Sequence, residues 1–350
     1  MPTPWIEVRA GERARRHIEQ QGLAPADIAC IPAAAGGPKG LVLMPLDRLL
    51  LNEWLPSAAR IEFVGASIGA WRMAALAQAE PLSALDRLQH AYLHEQNYGK
   101  RPTPAQVAAI CRGLTRSVLG GGNLQIREGT ALSILTARAH GGLQSRGRGA
   151  FARAALANAA GRRYLAAHLR RAVFCAGAPS QFDTAFDAFG LERVALSAAN
   201  AEDALLASGS IPLVCDPVSD IAGAPPGDYW DGGLIDYHLL LPYPGFERLV
   251  LYPHFVPWIT PGWLDKYLPW RVRPRGHDWL SNVLLIAPSR AMLERLPDGK
   301  LPDRKDFYRY GTNHAARIAA WERAIAEAQR FAEAAMAWLQ SPDPSAVQPL

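Results

Sequence analysis

Short apolar runs alternate with longer, alanine- and leucine-rich stretches along most of the chain. The apolar runs have the length and composition of buried strands, and they lie at residues 28–33, 61–66, 172–176, 193–197 and 247–252. The longer stretches predict helices at residues 5–22, 41–55, 69–95 with a break at Pro81, 104–119, 145–171 with a break near Gly161, 201–208 and 306–339. At 350 residues the chain is long enough for one large α/β domain.

The chain contains no internal repeat and no low-complexity linker, which predicts a single domain over residues 1–350. We expect its core at about residues 28–252, with a Trp/Pro-rich loop and helices at about 254–340. The loop carries Trp258, Trp263, Trp270 and Trp279 beside Arg271, Arg273 and Arg275. Two interpretations stay open for it: a lipid interface or substrate mouth, and a loop packed over the core.

Composition and charge narrow the class of protein. Apolar residues make up 49% of the chain, which is typical of a globular protein. The four cysteines are scattered without a Cys-x-x-Cys pair, so we expect free thiols in a reducing, cytoplasmic setting. We expect no signal peptide, because no apolar region follows the charged residues near the N-terminus, and no uncharged apolar run reaches the length of a membrane span. The net charge of +5 is too mild to predict nucleic acid as a partner.

One segment departs from this balance. Residues 145–171 hold seven arginines and no acidic residue. A solvated helix face is the plainer interpretation, and a surface for anionic lipid head groups is the functional one. The second interpretation leaves peripheral membrane contact open.

The segment at residues 61–70 carries the first candidate chemistry. A short strand leads to Gly65-Ala66-Ser67-Ile68-Gly69, after which a helix is predicted. Such a Gly-x-Ser-x-Gly turn holds its serine in a strained backbone conformation and exposes the hydroxyl at the sheet edge. Ser67 is therefore a candidate nucleophile for acyl transfer.

A second glycine-rich turn follows the predicted strand at residues 28–33. It reads Gly36-Gly37-Pro38-Lys39-Gly40 and also precedes a predicted helix. The turn could bind phosphate, but the Gly-Lys-Ser/Thr sequence of a phosphate loop is absent. It could instead be an oxyanion hole beside the serine, or a plain tight turn. The nearby Gly-x-Ser-x-Gly motif favours the oxyanion hole.

A carboxylate with its own glycine pair lies later in the chain. Asp231 precedes Gly232 and Gly233, which suggests a sharp bend at a strand end that aims the side chain. An Asp-Gly hairpin turn is the common structural alternative.

The order of these motifs resembles the patatin-like phospholipase family over about residues 28–252. The stretch Ala207-Ser208-Gly209-Ser210-Ile211-Pro212, ahead of Asp231, belongs to the same pattern. The resemblance implies a three-layer α/β/α sandwich with a central, mostly parallel sheet and C-terminal helical additions. It also implies a lipid acyl hydrolase that cleaves fatty acyl esters through a Ser67–Asp231 dyad, without metal or cofactor.

The resemblance assigns the oxyanion hole to the N–H groups of Gly36 and Gly37, with a contribution from Lys39. The family pattern is Asp-Gly-Gly-Gly-x-Arg-Gly, whereas this chain has Ala34 and Ala35 at its start and Lys39 in place of Arg. Lysine keeps the charge but loses the fork geometry of arginine. These substitutions predict a slow enzyme.

Two alternatives remain at this stage. His238 and His254 follow Asp231, so a Ser-His-Asp triad competes with the dyad. The protein could also be a catalytically weak or inactive relative that binds lipid or a protein partner. Phospholipase, lysophospholipase, neutral lipase, thioesterase and transacylase are not distinguished, and neither is the oligomeric state.

Overall fold

The computed structural model describes residues 4–55, 60–121, 124–144, 147–178, 180, 182, 184–272 and 276–350. Within these residues one sheet contains eleven strands. In chain order they are β1 Ile6–Ala10, β2 Ile28–Ala33, β3 Ile61–Ala66, β4 Thr130–Ala139, β5 Leu169–Gly177, β6 Glu192–Ala195, β7 Val218–Ser219, β8 Asp228–Asp231, β9 Leu249–Pro253, β10 Val283–Pro288 and β11 Gln348–Pro349.

The described residues also form α-helices between and around these strands. They are α1 Glu12–Gln21, α2 Met44–Leu49, α3 Ile68–Leu76, α4 Pro81–His94, α5 Pro104–Leu119, α6 Arg148–Ala160, α7 Arg162–Leu165, α8 Ala201–Gly209, α9 Arg290–Arg295, α10 Lys305–Tyr310 and α11 His314–Gln340. The predicted breaks at Pro81 and Gly161 are confirmed, because Pro81 begins α4 and Gly161 separates α6 from α7. Proline suits the first helical turn, where its missing N–H would have no partner.

The centre of the sheet is parallel, as predicted. Its main path runs in the order β11-β1-β10-β9-β2-β3-β4-β5-β6. Each neighbouring pair from β10 through β9, β2 and β3 to β4 is parallel. The carboxyl ends of β2 and β3 therefore lie at the same edge of the sheet, and the two glycine-rich turns that follow them are neighbours.

Strand β4 extends beyond the end of its neighbour β3, and a further strand pairs with the extension. β3 pairs with β4 only as far as Ala66, opposite Leu135. β5 pairs with one side of β4 from Ala131 to Ala139. The antiparallel strand β8 therefore pairs with the other side of β4, beyond the end of β3. Asp231 at the end of β8 pairs with Thr136, the residue after Leu135. The ends of β3 and β8 thus face each other along one edge of β4.

No strand was predicted at residues 130–139, where Thr130, Ser133 and Thr136 interrupt the apolar pattern. The structure buries all three side chains. The Ser133 hydroxyl donates to Glu62, and the Thr136 hydroxyl donates to the carbonyl of Ala172. Buried polar groups with partners fit a strand interior, but those partners come from other elements.

The prediction of one helix over residues 5–22 is wrong. Residues Ile6–Ala10 form β1, antiparallel to β10, and the helix begins only at Glu12. Val8 and Ala10 are buried two residues apart, which is the period of a strand. Gly11 makes the corner, where a Cβ atom would lie 1.9 Å from the carbonyl oxygen of Leu280.

The sheet also extends beyond the core expected at residues 28–252. β1, β10 and β11 lie outside that range and join the same sheet. The predicted helix at 306–339 is interrupted at Gly311, whose φ of +54° lies in the left-handed region that favours glycine. The C-terminal part therefore contributes strands as well as covering helices.

Both faces of the sheet are covered. Every residue of β2, β3, β9 and β10 is buried, which requires packing on both sides. On β8, Tyr229 belongs to the larger apolar core and Trp230 to a smaller one beside α6 and α7. Among the described helices, none has the combined length and apolarity to cross a bilayer.

Candidate active site

The turn between β3 and α3 has the strained backbone that the Gly-x-Ser-x-Gly motif predicts. Ser67 has φ +58° and ψ −132°, a conformation that costs a non-glycine residue about 1–3 kcal/mol. Glycine is required on both sides of it. A Cβ atom on Gly65 would lie 2.5 Å from the nitrogen of Ala70, and one on Gly69 would lie 2.0 Å from the carbonyl oxygen of Ala33. The turn therefore holds Ser67 at the end of β3.

Ser67 and Asp231 are joined directly. The Ser67 hydroxyl donates to Oδ2 of Asp231 at 2.7 Å, and both side chains are buried. The other carboxylate oxygen, Oδ1, accepts the N–H of Gly233 at 2.7 Å. Glycines fit tightly after Asp231, since a Cβ atom on Gly232 would lie 2.3 Å from the carbonyl oxygen of Leu135. The carboxylate is therefore fixed in position and faces the hydroxyl.

The environment of Asp231 raises its basicity. Burial raises its pKa to about 6, against the lowering effects of the hydrogen bonds from Ser67 and Gly233 and of the charge on Arg304. A carboxylate with this pKa is ionised at neutral pH and is a better proton acceptor than an exposed aspartate.

Ser208, to which the sequence assigned no chemical role, holds the backbone of the nucleophile in place. The Ser208 hydroxyl accepts the backbone N–H of Ser67 at 2.9 Å and donates to the carbonyl of Leu135 at 2.7 Å. Two residues later, the carbonyl of Ser210 accepts the N–H of Asp231 at 2.8 Å. The end of α8 thus ties the nucleophile, β4 and the base together. The sequence pattern included Ser208 but gave it no role.

The second glycine-rich turn lies beside Ser67. Within the described residues, the N–H groups of Gly36 and Gly37 find no hydrogen-bond acceptor. Gly37 has φ +57°, and a Cβ atom on Gly36 would lie 2.7 Å from the ring of Phe255. Gly40 packs against Ile68, directly after the nucleophile. Two unpaired amides near a serine hydroxyl have the donor chemistry of an oxyanion hole.

Lys39 lies in the wall of the same cavity. Its ammonium is 5.0 Å from the centre of the Phe255 ring, within the range of a cation–π contact. Burial is the main cause that lowers its pKa, opposed by the charge of Asp303 and reinforced by that of Lys300. The side chain therefore adds positive charge to the cavity while resting on an aromatic ring.

The two histidines do not complete a triad with Ser67. Nδ1 of His238 accepts the backbone N–H of Thr260 at 3.1 Å, and its Nε2 has no partner among the described residues. His254 contacts the backbone of Val256 through Nδ1. Burial lowers the pKa of His238 well below its usual range and that of His254 to about 3. Both rings are neutral at physiological pH and belong to an aromatic cluster with Phe255.

A cavity of about 600 Å³ opens in front of Ser67. One part of its wall is apolar and aromatic, formed by Ile211, Pro212, Leu234, Trp263, Tyr267 and Tyr308. Another part carries the cations Lys39, Lys266, Arg304 and Lys305. Arg304 was not predicted. Its side chain packs on the glycine-rich turn, with Cγ at 3.3 Å from where a Cβ atom of Gly37 would be.

The arginine-rich segment is not a uniform surface. Arg171 is buried between Asp187 and Asp236, and Arg162 pairs with the buried Asp265. Among the arginines of the segment at 145–171 and of the Trp/Pro-rich loop, Arg146, Arg273 and Arg275 lie outside the described residues. In the aromatic loop Trp263 lines the cavity, whereas Trp270 is 73% exposed.

The described part of the chain holds no group of three or more His, Cys, Asp or Glu side chains arranged for a metal ion. The structure brings the predicted residues Ser67, Asp231, Gly36, Gly37 and Lys39 to one cavity, adds Arg304 to its wall, and places Ser208 behind the nucleophile. Comparisons of the sequence with protein-family models and with curated proteins gave no match.

Proposed function

We propose that the protein is a serine hydrolase of carboxylic esters that releases fatty acids from lipids, with a patatin-like active site. The observation that carries the proposal is the 2.7 Å hydrogen bond from Ser67 to Asp231 at a strained turn, next to two unpaired backbone amides. The doubly covered, mostly parallel sheet is compatible with the three-layer α/β/α arrangement of the patatin-like family.

The first half of the reaction forms an acyl-enzyme. Asp231 accepts the proton of Ser67 while Oγ attacks the ester carbonyl carbon, and the carbonyl oxygen becomes an oxyanion. The N–H groups of Gly36 and Gly37 stabilise this oxyanion, assisted by the charge of Lys39. The tetrahedral intermediate then expels the alcohol, which takes the proton from Asp231. The serine now carries the acyl group as an ester.

The second half regenerates the enzyme. Asp231 accepts a proton from water, and the resulting nucleophile attacks the acyl carbon. The second tetrahedral intermediate uses the same two amides and expels Ser67, which recovers its proton from Asp231. The products are the free fatty acid and the alcohol. One carboxylate thus acts as base and acid in both halves.

Hydrolysis of a chain-length series of neutral acyl esters tests the proposal. Ser67→Ala should abolish turnover, and Asp231→Asn should lower kcat by at least about 10³ because the hydroxyl loses its base. His238→Ala is the informative comparison, because its ring contacts the backbone instead of the dyad. If His238→Ala is inactive while Asp231→Asn is active, the dyad assignment is wrong.

The catalytically weak or inactive alternative is favoured by one observation, the presence of Ala34 and Ala35 where the family pattern has Asp and Gly. A fluorophosphonate probe distinguishes the two. Stoichiometric labelling of Ser67, absent in Ser67→Ala, supports the hydrolase. If wild-type protein remains unlabelled under conditions that label a control hydrolase, the binding function is the better explanation.

A further inference from the structure

We propose that Arg162 and Arg171 are positioning residues of the active site, which fix the base relative to the oxyanion hole by holding the segment that connects them. This segment comprises residues 232–237, directly after Asp231, and we call it the bridge. Both arginines belong to the biased segment at 145–171, whose arginine excess the dyad does not explain. The effect on rate rests on the proposed function, but the contacts of the bridge can be tested without catalysis.

The bridge connects the base to the glycine-rich turn. It begins at the residue after the base and folds back on itself, since the N–H of Asp236 donates to the carbonyl of Gly232 at 2.9 Å. It ends at Tyr237, whose carbonyl accepts the N–H of Ala35 at 2.9 Å. Ala35 immediately precedes Gly36, so a shift of the bridge would displace the base and the oxyanion hole relative to each other.

Each arginine holds one of two consecutive residues of the bridge. Nη2 of Arg162 donates to the carbonyl of Ile235 at 2.9 Å. Arg171 donates through Nε and Nη2 to the two carboxylate oxygens of Asp236, at 2.7 and 2.8 Å. A guanidinium that binds both oxygens of a carboxylate fixes the direction of the contact as well as its length. The backbone and a side chain of the bridge are therefore both anchored.

The two arginines are also held at their other ends. Arg171 is buried and donates to both carboxylate oxygens of Asp187, at 2.9 and 2.8 Å. Arg162 donates to the buried Asp265 at 2.7 Å. Asp265 belongs to the 3₁₀ helix Trp263–Tyr267, whose two end residues line the cavity. Arg162 therefore connects the bridge with the cavity wall.

Position, more than stability, is what such contacts supply. The attraction within a buried ion pair is offset by the cost of removing both charges from water, so its net contribution to folding is small. Geometry matters more for the reaction, because a misplacement of about 1 Å at a reacting group can lower the rate by about 10². The ester carbon must lie within reach of Ser67 while its oxygen meets the N–H groups of Gly36 and Gly37. Both conditions require that the bridge stays in place.

Amide hydrogen exchange at Ala35 tests the contacts without catalysis, because this N–H is protected by its bond to Tyr237. Arg162→Gln should make the exchange at least about tenfold faster, since the bridge loses its bond at Ile235 and opens more often. Exchange measured by NMR on the folded protein gives the rate for this single amide, whether or not the protein hydrolyses esters.

Arg162 is the arginine to replace. Its side chain is 26% exposed, and without it Asp265 keeps Asn158 and Arg271 as partners, so the variant should retain its fold. Arg171 is 1% exposed and lies between two carboxylates, so its removal would leave buried negative charge without a partner and endanger folding.

Arg248→Gln is the matched control. Arg248 also donates to two backbone carbonyls, those of Ala26 and Arg60. These residues precede β2 and β3, so the contacts lie at the opposite edge of the sheet from the dyad. Removing them should leave both the exchange at Ala35 and kcat unchanged.

Ester hydrolysis supplies the functional measurement. Arg162→Gln should lower kcat about 10–100-fold with KM unchanged, because the reacting groups and not the cavity are displaced. Arg162→Lys separates position from stability. Its ammonium keeps the ion pair with Asp265 but has no fork to hold the carbonyl of Ile235 as well. This variant should recover the melting temperature of wild type, but neither its kcat nor its slow exchange at Ala35.

Four results would overturn the inference: wild-type exchange at Ala35 in Arg162→Gln, unchanged kcat in spite of faster exchange, full recovery of kcat by Arg162→Lys, or an equal loss of kcat in Arg248→Gln. Wild-type protein without esterase activity contradicts the proposed function instead. In that case the exchange measurement still decides whether the arginines hold the bridge.

Discussion

Asp231 is the residue whose environment decides when the dyad can react. Burial raises the pKa of its carboxyl group, and the hydrogen bonds from Ser67 and Gly233 lower it. The structure balances the two, with one hydrogen bond to each carboxylate oxygen and a pKa of about 6.

The first prediction is an acidic limb in the pH–rate profile. Only ionised Asp231 can accept the Ser67 proton, so kcat/KM for a neutral ester should fall about tenfold per pH unit below pH 6 and level off above pH 7. Initial rates between pH 4.5 and 8.5 provide the measurement. His238→Ala should show the same limb, since burial holds the His238 pKa well below its usual range. A profile that is flat down to pH 4.5 would contradict this role for Asp231.

The second prediction is that Asp231→Asn stabilises the protein at neutral pH. The folded-state pKa lies above the unfolded value of about 3.9, so protonation favours folding, and that stability is lost as pH rises from about 4 to 6. Replacing the buried charge should therefore add up to about 3 kcal/mol at pH 7.5 and little at pH 4. Urea unfolding at both pH values measures it.

Asp278→Asn is the control for this change, because Asp278 is exposed and contacts neither member of the dyad. It should not alter the free energy of unfolding at either pH. A destabilised Asp231→Asn variant at pH 7.5 would mean that the hydrogen bonds of the carboxylate outweigh its desolvation.

The third prediction concerns Ser208 as a positioning residue. Ser208→Ala leaves the buried N–H of Ser67 and the carbonyl of Leu135 without their partner, at a cost of about 1–3 kcal/mol for each group. A displaced Ser67 should lower kcat by about 10–100-fold with little change in KM. Ser83→Ala, at an exposed position of α4, should change neither value. A Ser208→Ala variant with normal kcat would show that the strained turn holds Ser67 without it.

At the scale of elements, the sequence predicts the three local motifs but not the strand and the side chain that bring them together in space. The turn at Ser67, the turn at Gly36 and the bend after Asp231 each have a sequence signature, because glycine is needed where a backbone or ring approaches closely. β4 has no such signature, since Thr130, Ser133 and Thr136 interrupt its apolar pattern. Arg304 has none either. Nothing local in its neighbourhood indicates that it packs on a turn far away in the sequence.

The fourth prediction tests the fit between the turn and the sheet. In Gly69→Ala the new Cβ atom would lie 2.0 Å from the carbonyl oxygen of Ala33, so α3 must move away from β2. We expect a loss of more than about 3 kcal/mol in stability and no phosphonate labelling of Ser67. Gly113→Ala in α5 is the control, because its nearest neighbour is 3.7 Å away. It should be neutral or stabilising by about 0.5–1 kcal/mol. Equal stability of both variants would contradict the tight fit.

At the scale of the whole molecule, the cavity joins the glycine-rich turn near the N-terminus to a segment near the C-terminus. Lys39 and Arg304 illustrate this, since they line one wall although strands β3 to β10 lie between them in the sequence. Charge accumulates where these segments meet. Desolvation of its ammonium against the cavity wall, together with repulsion from Arg304, Lys39 and Lys305, lowers the pKa of Lys266 to about 8.

Ser67 and Asp231 follow strands that pair with neighbouring residues of β4, so the Ser67–Asp231 hydrogen bond depends on the register of β8. A slip of β8 by one residue would turn the Asp231 side chain to the opposite face, and a slip by two would carry it about 7 Å along β4. A one-residue slip would also exchange the buried Tyr229 and Trp230 between the two cores, while the strands on the main path of the sheet could keep their pairing. The fraction of molecules that react with a phosphonate is therefore a count of correctly paired chains, and it can be lower than the folded fraction seen by circular dichroism.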